Sequence, residues 1–320
     1  MNMYDLIIIG SGPAGLSAAV YAKRAGLTTL VLEKSSMSGG QVLTTYEVDN
    51  YLGIPGINGF DLGMKFRQHA DNMEIEFKEA QVSRIETTQK QMTELEAAQI
   101  GGANKNIIYE VITDEENYKA KTILIATGAS HSKLGVQGEE ELAGMGVSYC
   151  ATCDGAFFKN RSVAVIGGGD VAVEDAIFLA RTSKKVYLIH RRNEFRAAKV
   201  LQDTVASLDN VEILWDTVVN EIQGTDQVEK LLIQNVKSKE NRELPVDGVF
   251  IAVGIHPNTE EFEKMVDCDE KGYIIAQEDC ASAIPGIFAA GDARTKKLRQ
   301  IITAVADGAN AITSIQNYLM

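Results

Sequence analysis

The first apolar run of the chain, residues 6–9 (Leu-Ile-Ile-Ile), is β-branched and short, which predicts a strand. It enters Gly10-Ser11-Gly12-Pro13-Ala14-Gly15. Leu16, Ala19, Val20 and Ala22 then recur at helical spacing until Gly26 stops the pattern. A second apolar strand, 29–32, delivers Glu33. The same alternation of strand, glycines, helix and strand returns mid-chain. There 163–166 form the strand, Gly167-Gly168-Gly169 the turn, and the following strand ends at His190. Three more apolar strands are legible. TILIATGA and GVFIAVGIHPNT each close a strand in a glycine, and 286–290 lead into Gly291.

Strand, GxGxxG, helix, strand and acid, in that order, make a dinucleotide-binding βαβ unit. Gly10 makes the tight turn, Gly12 lets the backbone approach a pyrophosphate, and Gly15 lets helix and strand pack closely. The helix N-terminus holds phosphate charge, and Glu33 can accept a bond from a ribose hydroxyl. In the second unit Ala172 stands where the third glycine would be, which the fingerprint permits. Glu33 and His190 lie equally far beyond Gly10 and Gly167, so the unit is a true repeat. His190 is followed by Arg191, Arg192 and Arg196. A carboxylate there would repel a 2′-phosphate, whereas guanidiniums bind one through charge-assisted hydrogen bonds. The second site therefore reads as NADP-binding, and the first as binding a dinucleotide with a free ribose, such as FAD. The competing reading of the arginines is a solvated, salt-bridged helix start.

The remaining chemistry lies in Cys150-Ala151-Thr152-Cys153-Asp154. A CxxC is half a zinc site, a structural disulfide or a redox pair. Cys268 and Cys280 lack the short spacing of a second ligand pair, and the four histidines are scattered, which counts against zinc. Two dinucleotide sites suggest a flavoprotein drawing hydride from a nicotinamide, which gives a redox pair its electron source. The 320 residues suffice for two domains, and 45% apolar with 23% charged residues is a soluble globular composition. A net charge of −13 argues against nucleic acid or anionic membrane as partner. With no signal sequence legible, no membrane span and four cysteines, the expected location is cytoplasmic.

The motifs GSGPAG, SGGQ (38–41), ATGA (126–129), CATCDG, GGGDVAVEDA, HRRNEFRA, GIHPNT, FAAGDAR and RQIITAVADG carry a resemblance. Over essentially its whole length the chain resembles the low-molecular-weight, bacterial-type thioredoxin reductases, pyridine nucleotide-disulfide oxidoreductases of class II. CATCDG directly ahead of the second nucleotide loop is the most specific of these motifs. The resemblance implies an α/β protein with two Rossmann-like domains of the FAD/NAD(P)-binding fold. An FAD domain, 1–128 and 254–320, would be interrupted by an NADPH domain, 129–253, that carries the CxxC. It also implies a homodimer whose partner is thioredoxin or a thioredoxin-like protein. FAD is expected at Gly10, Gly12, Pro13, Ala14, Gly15, Glu33, Gly40, Gln41, Asn50, Thr127, Gly128, Gly291, Asp292, Arg299, Gln300 and Ile301. NADPH is expected at Gly167, Gly169, Asp170, Ala172, His190, Arg191, Arg192 and Arg196.

On the same resemblance, NADPH reduces FAD, FAD reduces the Cys150–Cys153 disulfide, and the dithiol reduces thioredoxin. Cys153 is then the thiol nearest the flavin, Cys150 attacks the partner disulfide, and the NADPH domain rotates between two arrangements. Asp154 is the candidate acid/base, because a carboxylate beside a thiolate suits proton donation and pickup; the alternative is a helix-capping Asp. Three features depart from the family pattern. The region 92–106 is longer than the usual hairpin, Asp170 and Val171 replace a polar pair, and HSKLGV (131–136) lacks an aromatic. An acid at a phosphate-binding helix start is slightly adverse. The competing functions are a ferredoxin-dependent flavin thioredoxin reductase, an FAD-dependent dithiol oxidase and a non-enzymatic redox sensor. The arginine cluster counts against the first two, and the intact CxxC, Asp154 and both loops count against the third.

Overall fold

The computed structural model describes residues 3–45, 48, 50–89 and 107–320, so the expected excursion at 92–106 lies outside the described residues. Strand β1 (Met3–Ile9) runs into helix α1 (Pro13–Arg24) and the chain returns in β2 (Thr29–Glu33). Pro13 opens the helix, a position whose N–H no helical carbonyl could use. Helix α2 (Gly59–Asn72) leads to β3 (Glu76–Glu79). An antiparallel run follows: β4 (Val82–Gln89), β5 (Ile107–Thr113) and β6 (Tyr118–Ile125).

After β7 (Ala129–His131) comes the inserted unit, with β8 (Val147–Ser148) and the one-turn helix α3 (Ala151–Asp154). It continues through β9 (Ser162–Gly167), α4 (Asp170–Ala180), β10 (Lys185–Ile189), α5 (Lys199–Ala206) and β11 (Val211–Leu214). Three antiparallel strands, β12 (Thr217–Gln223), β13 (Lys230–Asn235) and β14 (Asn241–Pro245), precede β15 (Gly248–Ala252). The chain comes back through β16 (Ile255–Pro257), which pairs with β7, then β17 (Ile287–Ala289) and α6 (Ile301–Leu319).

Two compact units result: Met1–Leu43 with Gly59–Ser130 and His256–Met320, and Thr44–Asn58 with His131–Ile255. Each crossing falls about two residues beyond the limits expected from sequence, and residues 44–58 group with the inserted unit instead of the first. That segment closes on itself, through an antiparallel bridge between Val48 and Ile57 and a hydrogen bond from Gly56 N to Val48 O.

The first unit holds a parallel sheet ordered β3-β2-β1-β6. The first half of β6 pairs with antiparallel β5 and its second half with parallel β17. Alternate residues of these strands supply two separate cores. Ile7, Ile9, Leu30, Leu32, Ile123 and Ile125 face one way, against Tyr109, Val111, Phe262 and Ile274. Leu6, Ile8, Val31 and Leu124 face the other, against α1 and α6 through Leu16, Ala18, Ile312 and Ile315. Because both faces are covered, the strands read as unbroken apolar runs. The inserted unit repeats this plan on the parallel sheet β11-β10-β9-β15-β8. Val163, Val165, Val186 and Leu188 face α4 and α5. Ala164, Ile166, Ile189 and Ile251 face the three antiparallel strands. Among the described residues no helix is long and apolar enough to cross a membrane.

One buried ion cluster ties α6 to the strand end ahead of it. Asp307, 4% exposed, accepts from Arg294 Nε (2.8 Å) and Nη2 (2.6 Å), Lys296 Nζ (2.9 Å) and Gly291 N (2.9 Å). Burial alone would push its carboxyl up, but the two cations outweigh that and hold it below the usual aspartate value. The buried Cys280 thiol points at the Asp307 carbonyl, 3.5 Å away, and burial pushes that thiol up to about 12. Asp307→Asn leaves Arg294 and Lys296 buried without a counter-charge and should cost about 3–5 kcal/mol, read from the urea-unfolding midpoint. A depressed carboxyl contributes stability above its unfolded value, and that contribution fades as pH falls through the folded one. Wild-type stability should therefore decline in acid below about pH 4 more steeply than that of the variant.

Candidate redox and dinucleotide sites

In a parallel sheet all strand ends of one sense share an edge, and ligands bind beyond the carboxyl edge. In the first unit Ile9 is level with both Leu32 and Ile125, and Ile125 with Ala289. Gly10, Glu33, Thr127 with Gly128, and Gly291 with Asp292 therefore emerge side by side at the ends of β1, β2, β6 and β17. Gly10 has φ +103°, a conformation that favours glycine. A Cβ on Gly15 would lie 2.0 Å from the Gly10 carbonyl oxygen, so α1 meets β1 backbone to backbone. A Cβ on Gly12 would meet nothing within 4 Å, which leaves room for a phosphate at the helix start with Ala14 and Gly15.

Glu33 Oε2 accepts from both the backbone N and the Oγ of Ser11, each at 2.8 Å, and Oε1 accepts from Ser35 N at 3.2 Å. The carboxylate is thereby aimed across the turn, with lone pairs left for a hydroxyl. Gly40 and Gln41 open the 3-10 turn Gly40–Thr44, and Gln41 Nε2 donates to Ala129 O. Asp292 Oδ1 and Arg299 Nε are buried polar atoms without a protein partner, as a bound polar ligand requires. Burial raises the Asp292 carboxyl, against the charges of Lys296 and Arg299. The Arg299 guanidinium lies 4.0 Å from the Tyr273 ring centroid. Gln300 caps α6 in a reciprocal box with Thr303, and Ile301 is the first helical residue. Asn50 falls in the other compact unit. The open turn, the aimed Glu33 and the orphaned Asp292 and Arg299 atoms suit an extended dinucleotide such as FAD.

The inserted unit builds a second such edge. Ile166 is level with Ile189, and Gly167 with Ala252. A Cβ on Gly169 would meet nothing within 4 Å, while Ala172 takes the place of the third glycine, its Cβ 2.5 Å from where a Gly167 Cβ would sit. His190 is buried and packs between Gly168, Phe195 (ring centroids 5.5 Å apart) and Trp215 (6.2 Å). Burial lowers its basicity, and its Nε2 is buried without a protein partner. Arg191, Arg192 and Arg196 are exposed, and among the described residues none is in a salt bridge. The cluster is therefore solvated and, among the described residues, not salt-bridged. Asp170 Oδ1, at the start of α4, accepts the Ala198 N–H at 2.7 Å.

The cysteine pair shares this edge. Strand β8 runs parallel to β15, with Ser148 level with Phe250, and Phe250 level with Val165 of β9. Cys150 therefore leaves the same carboxyl edge as the second glycine turn, two strands away. Cys150 and Cys153 are joined in a disulfide across the single turn of α3, with Cα atoms 5.3 Å apart. Both are half-buried, and Thr152 between them is exposed. Ser148 Oγ donates to Asp154 Oδ2 at 2.6 Å and accepts from Cys150 N at 3.0 Å. Asp154 Oδ1 is buried without a partner. Burial pushes the Asp154 carboxyl up, and the Ser148 hydrogen bond offsets part of the rise. The carboxylate takes no backbone N–H as a helix cap. Ser148 carries no sequence signal, because only folding brings its hydroxyl between Cys150 and Asp154. Nor does sequence show that Tyr149 OH donates to buried Glu139 at 2.7 Å, next to Cys150.

Comparison with known proteins agrees with this architecture. The family model for pyridine nucleotide-disulphide oxidoreductases matches residues 4–308. A thioredoxin reductase from Listeria innocua is 44% identical over 320 residues, covering 99% of this chain and 94% of its own. One from Bacillus subtilis is 40% identical over 319 residues, covering 99% and 95%. The crystal structure of thioredoxin reductase from Streptococcus pyogenes matches with a TM-score of 0.90 at 43% identity, covering 99% of this chain and 98% of that one. With an α/β fold of two Rossmann-like sheets and a redox disulfide on one of them, the chain belongs to the thioredoxin reductases of the pyridine nucleotide-disulphide oxidoreductase family.

Proposed function

We propose that the chain is an NADPH-dependent thioredoxin-disulfide reductase carrying FAD, acting on thioredoxin or a thioredoxin-like protein in the cytoplasm. The observation that carries this reading is the shared sheet edge: the Cys150–Cys153 disulfide and an open glycine turn with three unpaired arginines belong to one sheet. Those arginines suit a 2′-phosphate and favour NADPH over a ferredoxin donor. The relatives named above are themselves thioredoxin reductases.

When bound, FAD and NADPH supply the two-electron chemistry. FAD is assigned to the edge holding Gly12, Glu33 and Asp292, and NADPH to the edge holding Gly169 and Arg191, Arg192 and Arg196. The chain's own residues do the rest. Opening the Cys150–Cys153 disulfide takes two electrons and two protons and yields a dithiol. Asp154, its carboxyl raised by burial, holds a proton beside Cys153 at a pH where an ordinary aspartate has lost it. Cys150, next to exposed Thr152, attacks the partner disulfide as a thiolate and releases one partner sulfur. Cys153 then attacks the mixed disulfide, restoring the original pair and leaving the partner as a dithiol.

Anaerobic titration of the yellow holoprotein should show bleaching by NADPH at far lower concentration than by NADH, followed by reduction of thioredoxin. A flavin that NADPH leaves oxidised points to the ferredoxin or oxidase reading. Cys150→Ser should keep flavin bleaching and lose thioredoxin reduction, and retained turnover would refute its assignment. Asp154→Asn should lower turnover by about 10²–10⁴-fold. Ser148→Ala removes a bond that favours ionised Asp154, so the limb where rate falls with rising pH should move to higher pH. A shift to lower pH in that profile would contradict the proton-donor role.

A further inference from the structure

We propose that Asp170 is a positioning residue for nucleotide selectivity: its carboxylate fixes the arginine loop, 191–198, against the glycine turn so that the guanidiniums meet a 2′-phosphate. The proposal rests on the NADP reading of the second site. The loop leaves β10 and re-enters the fold at α5 with its three arginines exposed and unpaired. Long cationic side chains on an unanchored loop would repel each other and spread. Two bonds at the loop's C-terminal end prevent this: Arg196 N donates to Gly168 O (2.8 Å) and Ala198 N to Asp170 Oδ1 (2.7 Å). At the other end Asp216 N donates to Arg192 O at 3.1 Å, and Thr217 N to His190 O at 2.9 Å. Beneath the loop, Phe195 packs on Trp215 with ring centroids 4.3 Å apart.

Ala198 is the cap residue of α5 and has no side chain able to cap it. Asp170 is the first residue of α4, yet it serves the start of α5. It thus joins the helix start that faces a pyrophosphate to the loop that faces a 2′-phosphate. The alternative role is purely electrostatic, a negative charge near two phosphates. The two roles predict opposite signs: without the anchor the phosphorylated nucleotide binds more weakly, whereas without the repulsion it binds more tightly.

The test is calorimetric binding of NADP⁺ and NAD⁺ to oxidised holoprotein, with hydrogen exchange at the Ala198 amide. Asp170→Ala should weaken NADP⁺ relative to NAD⁺ by about three- to tenfold and speed exchange at Ala198. Asp170→Asn keeps an acceptor oxygen and should retain wild-type NADP⁺ affinity or better, with Ala198 still protected. Tighter NADP⁺ binding by both variants, or an unchanged NADP⁺/NAD⁺ ratio in Asp170→Ala, overturns the positioning role alone. Wild-type protein that binds NAD⁺ as tightly as NADP⁺ overturns the underlying site reading as well.

Discussion

The first glycine turn depends on backbone meeting backbone where a strand turns into a helix. Gly15 stands so close to the Gly10 carbonyl that no side chain fits, and only that approach brings the start of α1 to the sheet edge. The contact continues outward, because a Cβ on Gly308 of α6 would lie 2.3 Å from the Ala14 carbonyl oxygen. Strand, first helix and last helix are thus stacked with almost no side chain between them at this point. The anion-attracting helix start, the strand ends and α6 are held in one frame. The second unit has Ala172 at the position of Gly15, its methyl 2.5 Å from where a Gly167 Cβ would sit.

Buried carboxylates in the molecule diverge according to what faces them. Asp307 is surrounded by Arg294, Lys296 and an N–H, and stays ionised as a structural anchor. Asp292 and Asp154 each keep one buried oxygen without a protein partner, and burial raises both. In a folded protein such oxygens are left open where something else comes to meet them. The two open acids lie one in each unit, at the strand edges where the chemistry is assigned.

Much of this was legible in the sequence, because glycine turns, apolar runs and strand-end residues are local signals. The repeat from Gly10 to Glu33 and from Gly167 to His190 marked two adjacent strands of each parallel sheet and the glycine turn between them. What escaped were contacts between residues far apart in the chain. The Asp170 bond is one of these, because its partner, the Ala198 N–H, lies beyond an entire helix and strand. His190 stands where an acid would mark the ribose, and its packing against Phe195 and Trp215 shows only in the fold. Ser148 looked like an ordinary strand residue, and the grouping of 44–58 with the inserted unit has no compositional mark.

A protein that makes and breaks disulfides must also keep its other thiols out of the exchange. Cys280 is fully buried, and its thiol ionises only near about 12. At neutral pH far less of that sulfur is thiolate than in an ordinary exposed cysteine. Since only thiolates attack disulfides, the sulfur is a poor kinetic competitor for Cys150 and Cys153. Burial against α6 thus acts as insulation, keeping a spare cysteine from scrambling the pair through repeated cycles.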